Sequence, residues 1–153
     1  MIDKNEAIKM WTYISGSIEQ LLECLNGLSP TELNWKPIDS ANSLYVLSTH
    51  VLGNVEGNIL GTLCGQQVNR KREEEFKASG DSIGSILSKW SALKMLINEG
   101  MDNLSPEDLN DIREHPYFGN ISGWGILIIV ARHAAEHMGQ AMLTRDLVKN
   151  RDD

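Results

Sequence analysis

Two histidines, His133 and His137, lie four residues apart in a segment long enough to form a helix. On a helix this spacing turns the two side chains only about 40° away from each other, so both imidazoles can close on one ion. The same face includes Ile126 and Val130 before the histidines and Gln140 after them. The histidines therefore take positions that a helical bundle normally fills with leucine, and we predict that they point inward.

A third histidine, His50, lies in an earlier segment whose inward face is also partly polar. If this segment is a helix, Asn54 and Gly57 share the face of His50. When the two segments are superposed on His50 and His133, Asn54 falls opposite His137. The spacing thus predicts a pocket that contains three imidazoles and one amide, and we expect Asn54 and Gln140 to line it.

Three neutral imidazoles with one open coordination position are ligands that catalytic Zn²⁺, or Ni²⁺ and Fe²⁺, can use. A structural zinc site would usually be closed by a fourth side chain. The alternative is that His50, His133 and His137 are core histidines satisfied by hydrogen bonds to carbonyl groups or water. The spacing by itself leaves both interpretations open.

The string His133-Ala134-Ala135-Glu136-His137 also matches the His-x-x-Glu-His pattern of one metalloprotease class, in which the glutamate is a general base. On a helix Glu136 is turned about 60° from His133 and about 100° from His137. A solvent-exposed position for Glu136 is therefore favoured over a catalytic one.

Glycines recur at every fourth position beside His50, at Gly53, Gly57, Gly61 and Gly65. Each glycine inside a helix costs about 0.5 to 1 kcal/mol relative to alanine, so this stripe needs a compensating reason. Close approach of another helix is one explanation, and space for a ligand beside the metal is the other. On the second explanation Gly57 lines the pocket.

Four segments have the length of bundle helices, at about 3–26, 41–65, 83–104 and 122–149. The first and third carry apolar residues at alternating spacings of three and four, the period of one helix face. Gly27 is placed to end the first segment, and Ser82 is placed to cap the third. The polar stretch 66–80 is predicted to be a crossover connection, and no strand-like alternation of useful length appears.

One short string, Leu-Ser-Pro-x-x-Leu-Asn, occurs after the first segment at 28–34 and again after the third at 104–110. Each copy is predicted to close one helix and to open a short capped turn with proline at its first position. We therefore predict an all-α four-helix bundle made of two pseudo-symmetric helical hairpins joined by a crossover connection. Chance recurrence of a common helix start is the alternative.

Length and charge narrow the class of protein. A chain of 153 residues fits a single domain, 1–153, with one hydrophobic core. The net charge of −7 and the lack of a sustained basic face argue against nucleic-acid binding. The N-terminus lacks the pattern of a signal peptide, and the longest apolar run, 126–131, is too short to span a membrane, so a cytoplasmic location is expected. Two widely spaced cysteines give no support for a disulfide framework.

The pattern resembles the DinB-like superfamily, a group also described as DinB/YfiT metal-dependent enzymes. The matching features are His50 within the second helix, a turn of sequence His-Pro-Tyr-Phe-Gly that begins at His115, and His133 with His137 followed by Gln140. The resemblance covers essentially the whole chain. It implies a four-helix bundle that binds a divalent metal through His50, His133 and His137, and it implies a homodimer.

The resemblance also suggests a reaction. Some members look like transferases that join a low-molecular-weight thiol to an electrophile, which leads to our first hypothesis of a metal-dependent thiol S-transferase acting on small molecules, or a related hydrolase. The alternative is a non-catalytic, stress-related bundle that binds a ligand or a metal. No residue stands out as a catalytic base, so the catalytic residues stay unknown, and His115 is expected to have a structural role.

Overall fold

The fold is a bundle of four long helical segments, seen in a computed structural model that describes residues 3–151. The long elements are α1 (Lys4–Glu23), α3 (Leu44–Val55) with the π-helix Glu56–Leu63 that continues it, α5 (Gly84–Asn103) and α7 (Gly123–Lys149). The short elements are α2 (Pro30–Leu33), α4 (Arg72–Glu75), α6 (Pro106–Asn110), β1 (Ile112–His115) and β2 (Gly119–Ser122). The predicted all-α four-helix bundle is confirmed.

The apolar stripes of α1 and α5 form much of the core. Both stripes are buried as their periodicity predicts: Ala7, Trp11, Ile14, Ile18 and Leu21 on α1, and Ile86, Trp90, Leu93, Ile97 and Met101 on α5. The rings of Trp11 and Trp90 are 6.1 Å apart, and Trp11 Nε1 donates to Asn98 Oδ1 at 2.7 Å. Helix α1 packs most extensively on α7, which in turn packs on α3. This arrangement fixes α3 and α7 side by side.

The repeated string forms the same local structure twice. Ser29 accepts a hydrogen bond from the backbone of Glu32, and the Glu32 carboxylate accepts one from the backbone of Ser29. Ser105 and Asp108 form the equivalent capping box at the start of α6. The two copies also bury matching leucines, Leu33 and Leu109. Both copies of the string therefore form a short helix with a capping box at its start and a buried leucine near its end.

The second predicted helix differs from its expected form. It begins at Leu44 because Ser43 caps it, and beyond Val55 it changes to the wider π-helical winding, which ends at Leu63. Gly65 follows with a positive φ of 69°, a conformation that glycine adopts without strain. Ser82 does not cap the third helix, because α5 begins at Gly84 and the residue at its N-cap, Ile83, makes no side-chain cap bond.

A short antiparallel hairpin precedes α7, and the sequence did not predict it. Its strands pair Ile112 with Ser122 and His115 with Gly119. Gly119 closes the turn with a φ of 64°. Each strand has only four residues, which is too short to show a period of two. Within residues 3–151, no helix combines the length and the hydropathy that crossing a membrane requires.

Candidate metal centre

The three predicted histidines meet at one point between α3 and α7. The Nε2 atom of His133 lies 3.0 Å from Nε2 of His50 and 3.1 Å from Nε2 of His137. One ligand atom from each histidine can be chosen so that no two are more than 4.8 Å apart. The i, i+4 spacing on α7 brings its two imidazoles to one face, and α3 supplies the third from across the interface.

The cluster lies at the boundary between the core and solvent. His50 is buried, with 5% of its surface exposed, whereas His133 and His137 are half-buried. The α7 side of the cluster is therefore partly exposed to solvent.

The far nitrogen of His50 is bonded to a carboxylate. Nδ1 of His50 lies 2.8 Å from Oε2 of Glu75, at the end of α4. Arg70 holds the same carboxylate through two hydrogen bonds, Nε to Oε1 at 2.7 Å and Nη2 to Oε2 at 2.9 Å. The ring of Phe76 lies 4.6 Å from the imidazole of His50. The crossover connection thus covers His50 on the side away from the other two histidines.

The far nitrogen of His137 is also occupied. Its Nδ1 donates to Oε1 of Gln140 at 2.7 Å, one turn further along α7. With Nδ1 of His50 and of His137 engaged as donors, the neutral form of each imidazole keeps its Nε2 lone pair free. Both of these lone pairs are directed toward His133.

Electrostatics favour uncharged imidazoles at His133 and His137. Burial, together with the charges of the neighbouring histidines, lowers the pKa of His133 to about 3. Burial also lowers the pKa of His137, an effect that the Gln140 hydrogen bond partly offsets. Burial would raise the pKa of Glu75, but hydrogen bonds from Arg70 and His50 outweigh it and lower this pKa to about 2. Glu75 is therefore an anion that can only accept.

The residues fit a divalent metal ion. Two Nε2 lone pairs, those of His50 and His137, face Nε2 of His133. A proton on that nitrogen can form a good hydrogen bond to only one of them, whereas one cation can bind all three nitrogens. At metal–nitrogen distances of about 2.0–2.1 Å, neighbouring nitrogen ligands of one ion lie roughly 2.9–3.4 Å apart. The distances of 3.0 and 3.1 Å about His133 agree with that range. Hydrogen bonds to the far nitrogens are also the usual support of metal-binding histidines.

Side chains of the crossover connection lie beside two glycines of the stripe. A Cβ atom at Gly53 would lie 2.0 Å from Oε1 of Glu75, and one at Gly57 would lie 3.0 Å from Cδ of Arg70. Glu75 ends the short helix α4, so at Gly53 a helix of the crossover connection approaches α3 closely, as in the first of the two explanations. Arg70 lies beside Gly57, and the role of Gly57 in lining the pocket stays a prediction.

Asn54 lies one turn after His50 and is half-buried. Its Oδ1 atom is buried and has no hydrogen-bond partner among residues 3–151. Its role in lining the pocket stays a prediction. Gln140 bonds His137 and lines a neighbouring cavity of about 340 Å³, and its role in lining the pocket of the histidines also stays a prediction.

Two residues that the sequence placed outside the triad are indeed separate from it. Glu136 is exposed, which agrees with a solvated helix position. His115 is buried in the hairpin, where its Nδ1 accepts from the backbone of Tyr117 at 3.1 Å and its Nε2 donates to Asn58 Oδ1 at 2.8 Å. Burial lowers the pKa of His115, so the neutral ring that these bonds require is favoured.

Sequence reasoning missed the residues that support His50. Arg70, Glu75 and Phe76 all belong to the polar crossover. Its three basic residues at 70–72 are followed directly by three acids at 73–75, a pattern that by itself indicates a solvent-exposed surface with little net charge. The glycine at position 53 was the available signal, because a glycine inside a helix indicates that another group approaches the backbone closely.

The chain belongs to the DinB superfamily, whose sequence profile matches residues 13–141. A conserved protein from Enterococcus faecalis has a similar structure, with a TM-score of 0.75 and 17% identity over 99% of this chain and 100% of that one. TT2238, a four-helix bundle protein, is also similar, with a TM-score of 0.63 and 18% identity over 88% of this chain and 97% of that one. No curated protein matches the chain.

Proposed function

We propose that this protein is a metal-dependent enzyme that binds one divalent ion through His50, His133 and His137. The observation that carries the proposal is that the Nε2 atoms of His50 and His137 both lie next to Nε2 of His133. Glu75 and Gln140 bind the far nitrogens of His50 and His137, respectively. Membership of the DinB superfamily supports the same conclusion. The donor set suits Zn²⁺, Ni²⁺ or Fe²⁺.

For the reaction, we propose transfer of a low-molecular-weight thiol to an electrophilic small molecule. A divalent ion with an open position would act as a Lewis acid and favour the thiolate, the reactive form of the thiol. In the reaction the thiol sulfur forms a bond to an electrophilic carbon while the bond from that carbon to its leaving group breaks. The leaving group departs with the electron pair of that bond, and the thiol proton goes to solvent. The half-buried His133 and His137 leave the cluster accessible to both reactants.

The test is turnover of a model electrophile by metal-loaded protein with a panel of low-molecular-weight thiols. The expected result is a rate above the uncatalysed background with at least one thiol, and loss of that rate in His133→Ala. Glu136→Ala is the matched control on the same helix, because Glu136 is exposed, and it should keep the activity. No rate above background with any thiol or metal would contradict the proposed reaction.

One observation favours the alternative of a non-catalytic binding protein. Glu75, the carboxylate that contacts the triad, is already paired with Arg70 and His50, so it is not free to act as a base. A binding protein would show saturable uptake of a small ligand, measured by calorimetry, without turnover.

We also propose that the protein is a cytoplasmic homodimer. Support for the dimer comes from large apolar side chains exposed on α1 and α7, among them Tyr13 at 55%, Ile128 at 47% and Leu143 at 61%. Light scattering across a range of concentrations tests the dimer, and a monomer at all of them would contradict it.

A further inference from the structure

We propose that Glu75 is a positioning residue of the metal centre, which fixes His50 so that its Nε2 atom is directed at the ion. The inference rests on the proposed metal-binding function. It assigns to the crossover connection the task of holding one ligand of a site whose three ligands all lie on bundle helices.

The environment of Glu75 differs from that of its neighbours. Glu73 and Glu74 are exposed, but Glu75 is buried, with only 6% of its surface exposed. Burying a carboxylate is costly unless it is paired and hydrogen-bonded. Arg70 binds both oxygens of Glu75, and the remaining bond goes to Nδ1 of His50. The buried anion is therefore satisfied, and its contacts end at a metal ligand.

The backbone of α3 is shaped to admit this carboxylate. Because a Cβ atom at Gly53 would lie 2.0 Å from Oε1 of Glu75, any other residue at this position would displace Glu75. The free energy that glycine costs inside a helix is thus offset by the approach of one particular side chain. Gly53 lies three residues after His50, so the same turn of α3 carries both the ligand and the opening for its partner.

Phe76 completes the support of His50. Its ring centroid lies 4.6 Å from that of the imidazole at an interplanar angle of 38°, and the guanidinium of Arg72 lies over the Phe76 ring, 4.9 Å from its centroid. The imidazole of His50 is therefore held by a hydrogen bond from Nδ1 to Glu75 and by the packing of the Phe76 ring against it. A rotation of the His50 ring would break both contacts.

The competing explanation is that Arg70 and Glu75 form an ion pair that only closes the crossover connection. That explanation predicts lower stability when Glu75 is replaced, but no change in the affinity of folded protein for metal. The two accounts therefore differ in a binding constant and in the tautomer of one ring.

The experiment compares the wild type with Glu75→Ala, Glu75→Gln and the exposed control Glu73→Ala. The dissociation constant for Zn²⁺ is measured by competition with a chromophoric chelator, and the His50 tautomer of the metal-free protein is read from imidazole ¹⁵N shifts. We expect Glu75→Ala to weaken binding about 10- to 100-fold and to lose the Nδ1–H tautomer. Glu75→Gln keeps an acceptor and should recover part of both, and Glu73→Ala should match the wild type.

A second variant tests the same contact without removing Glu75. Gly53→Ala should weaken Zn²⁺ binding in the wild type but add little in the Glu75→Ala background, where its clash partner is gone. Gly16→Ala on α1 is the control, because a Cβ there meets nothing within 4 Å.

The outcomes separate the inference from the function on which it rests. The positioning role alone would be overturned if the wild type binds Zn²⁺ and folded Glu75→Ala protein binds it with the same affinity and keeps the same His50 tautomer. A wild type that binds no Zn²⁺, Ni²⁺ or Fe²⁺ would remove the metal function and the inference with it.

Discussion

The Nε2 atoms of His50 and His133 lie 3.0 Å apart, although 83 residues separate them in the chain. The contact exists because α3 and α7 pack side by side and present these residues to each other. Two polar nitrogens at this distance in a partly buried interface need a proton or a cation between them. The bundle therefore places a polar contact where leucine would contribute more to stability, which is typical of a functional site.

His115 should contribute to stability and leave metal binding unchanged. His115→Leu removes the donor to Asn58 Oδ1, a buried acceptor, and should lower the free energy of unfolding by about 1–3 kcal/mol. Urea denaturation and elemental analysis of the same samples measure the two effects. Loss of metal from a folded His115→Leu protein would show that His115 belongs to the site.

The two capping boxes should have equivalent effects. Ser29→Ala and Ser105→Ala each remove a side-chain acceptor at a helix start, and each should cost about 1 kcal/mol of stability. The sites share no hydrogen bond, so the double variant should cost about the sum. Thermal or urea unfolding measures this, and a cost at one site alone would argue against a shared structural role for the repeated string.

The space beside Gly57 can be tested by filling it. Gly57→Leu must displace Arg70, whose Cδ atom lies 3.0 Å from the position of an added Cβ, and overpacking of this kind should cost about 1–3 kcal/mol. Gly16→Leu is the control, since no atom of residues 3–151 beyond its own stretch of helix lies within 4 Å of a Cβ at that position. Unchanged stability of Gly57→Leu together with lost ligand binding would contradict this expectation and would support the pocket that the sequence suggested.

Acid should destabilise the metal-free protein. Folding lowers the pKa of His133 from 6.5 to about 3, and it also lowers the pKa of His137. Between pH 6.5 and about 3 the unfolded chain therefore binds a proton at His133 that the folded chain does not bind. The free energy of unfolding should therefore fall as the pH falls below about 6.5. Urea unfolding between pH 7.5 and 5 measures the slope and avoids the titration of Glu75, whose pKa is about 2. A smaller slope in His133→Gln is expected, and an equal slope would contradict this assignment.

The sequence predicted the bundle and the triad because both depend on the helical period. The stripes of α1 and α5 and the i, i+4 pair on α7 are patterns within single helices. His50 could be assigned to the same site because it faces inward on a second long helix. An inward imidazole in a four-helix bundle can meet only the interior faces of the other helices. The repeated string also predicted two similar capped turns, since a capping box is a local structure.

The support of His50 could not be predicted in the same way. Glu75 meets His50 through a tertiary contact made by a crossover that has little regular structure, and no period links residues 25 apart. The π-helical winding after Val55 and the hairpin before α7 were missed because their sequences show no distinct pattern over so few residues. The contact of Arg70 with Gly57 is likewise a tertiary contact from the crossover, and the helical period gives no sign of it.

The central claim is that His50, His133 and His137 bind a metal, and elemental analysis of untagged protein tests it most directly. The wild type and His133→Ala are each incubated with Zn²⁺, Ni²⁺ or Fe²⁺ under anaerobic conditions, freed of unbound ion and compared. The account predicts about one equivalent in the wild type and little in a folded His133→Ala protein. No bound metal in either protein would contradict it and would make the three histidines hydrogen-bonded residues of the bundle interface.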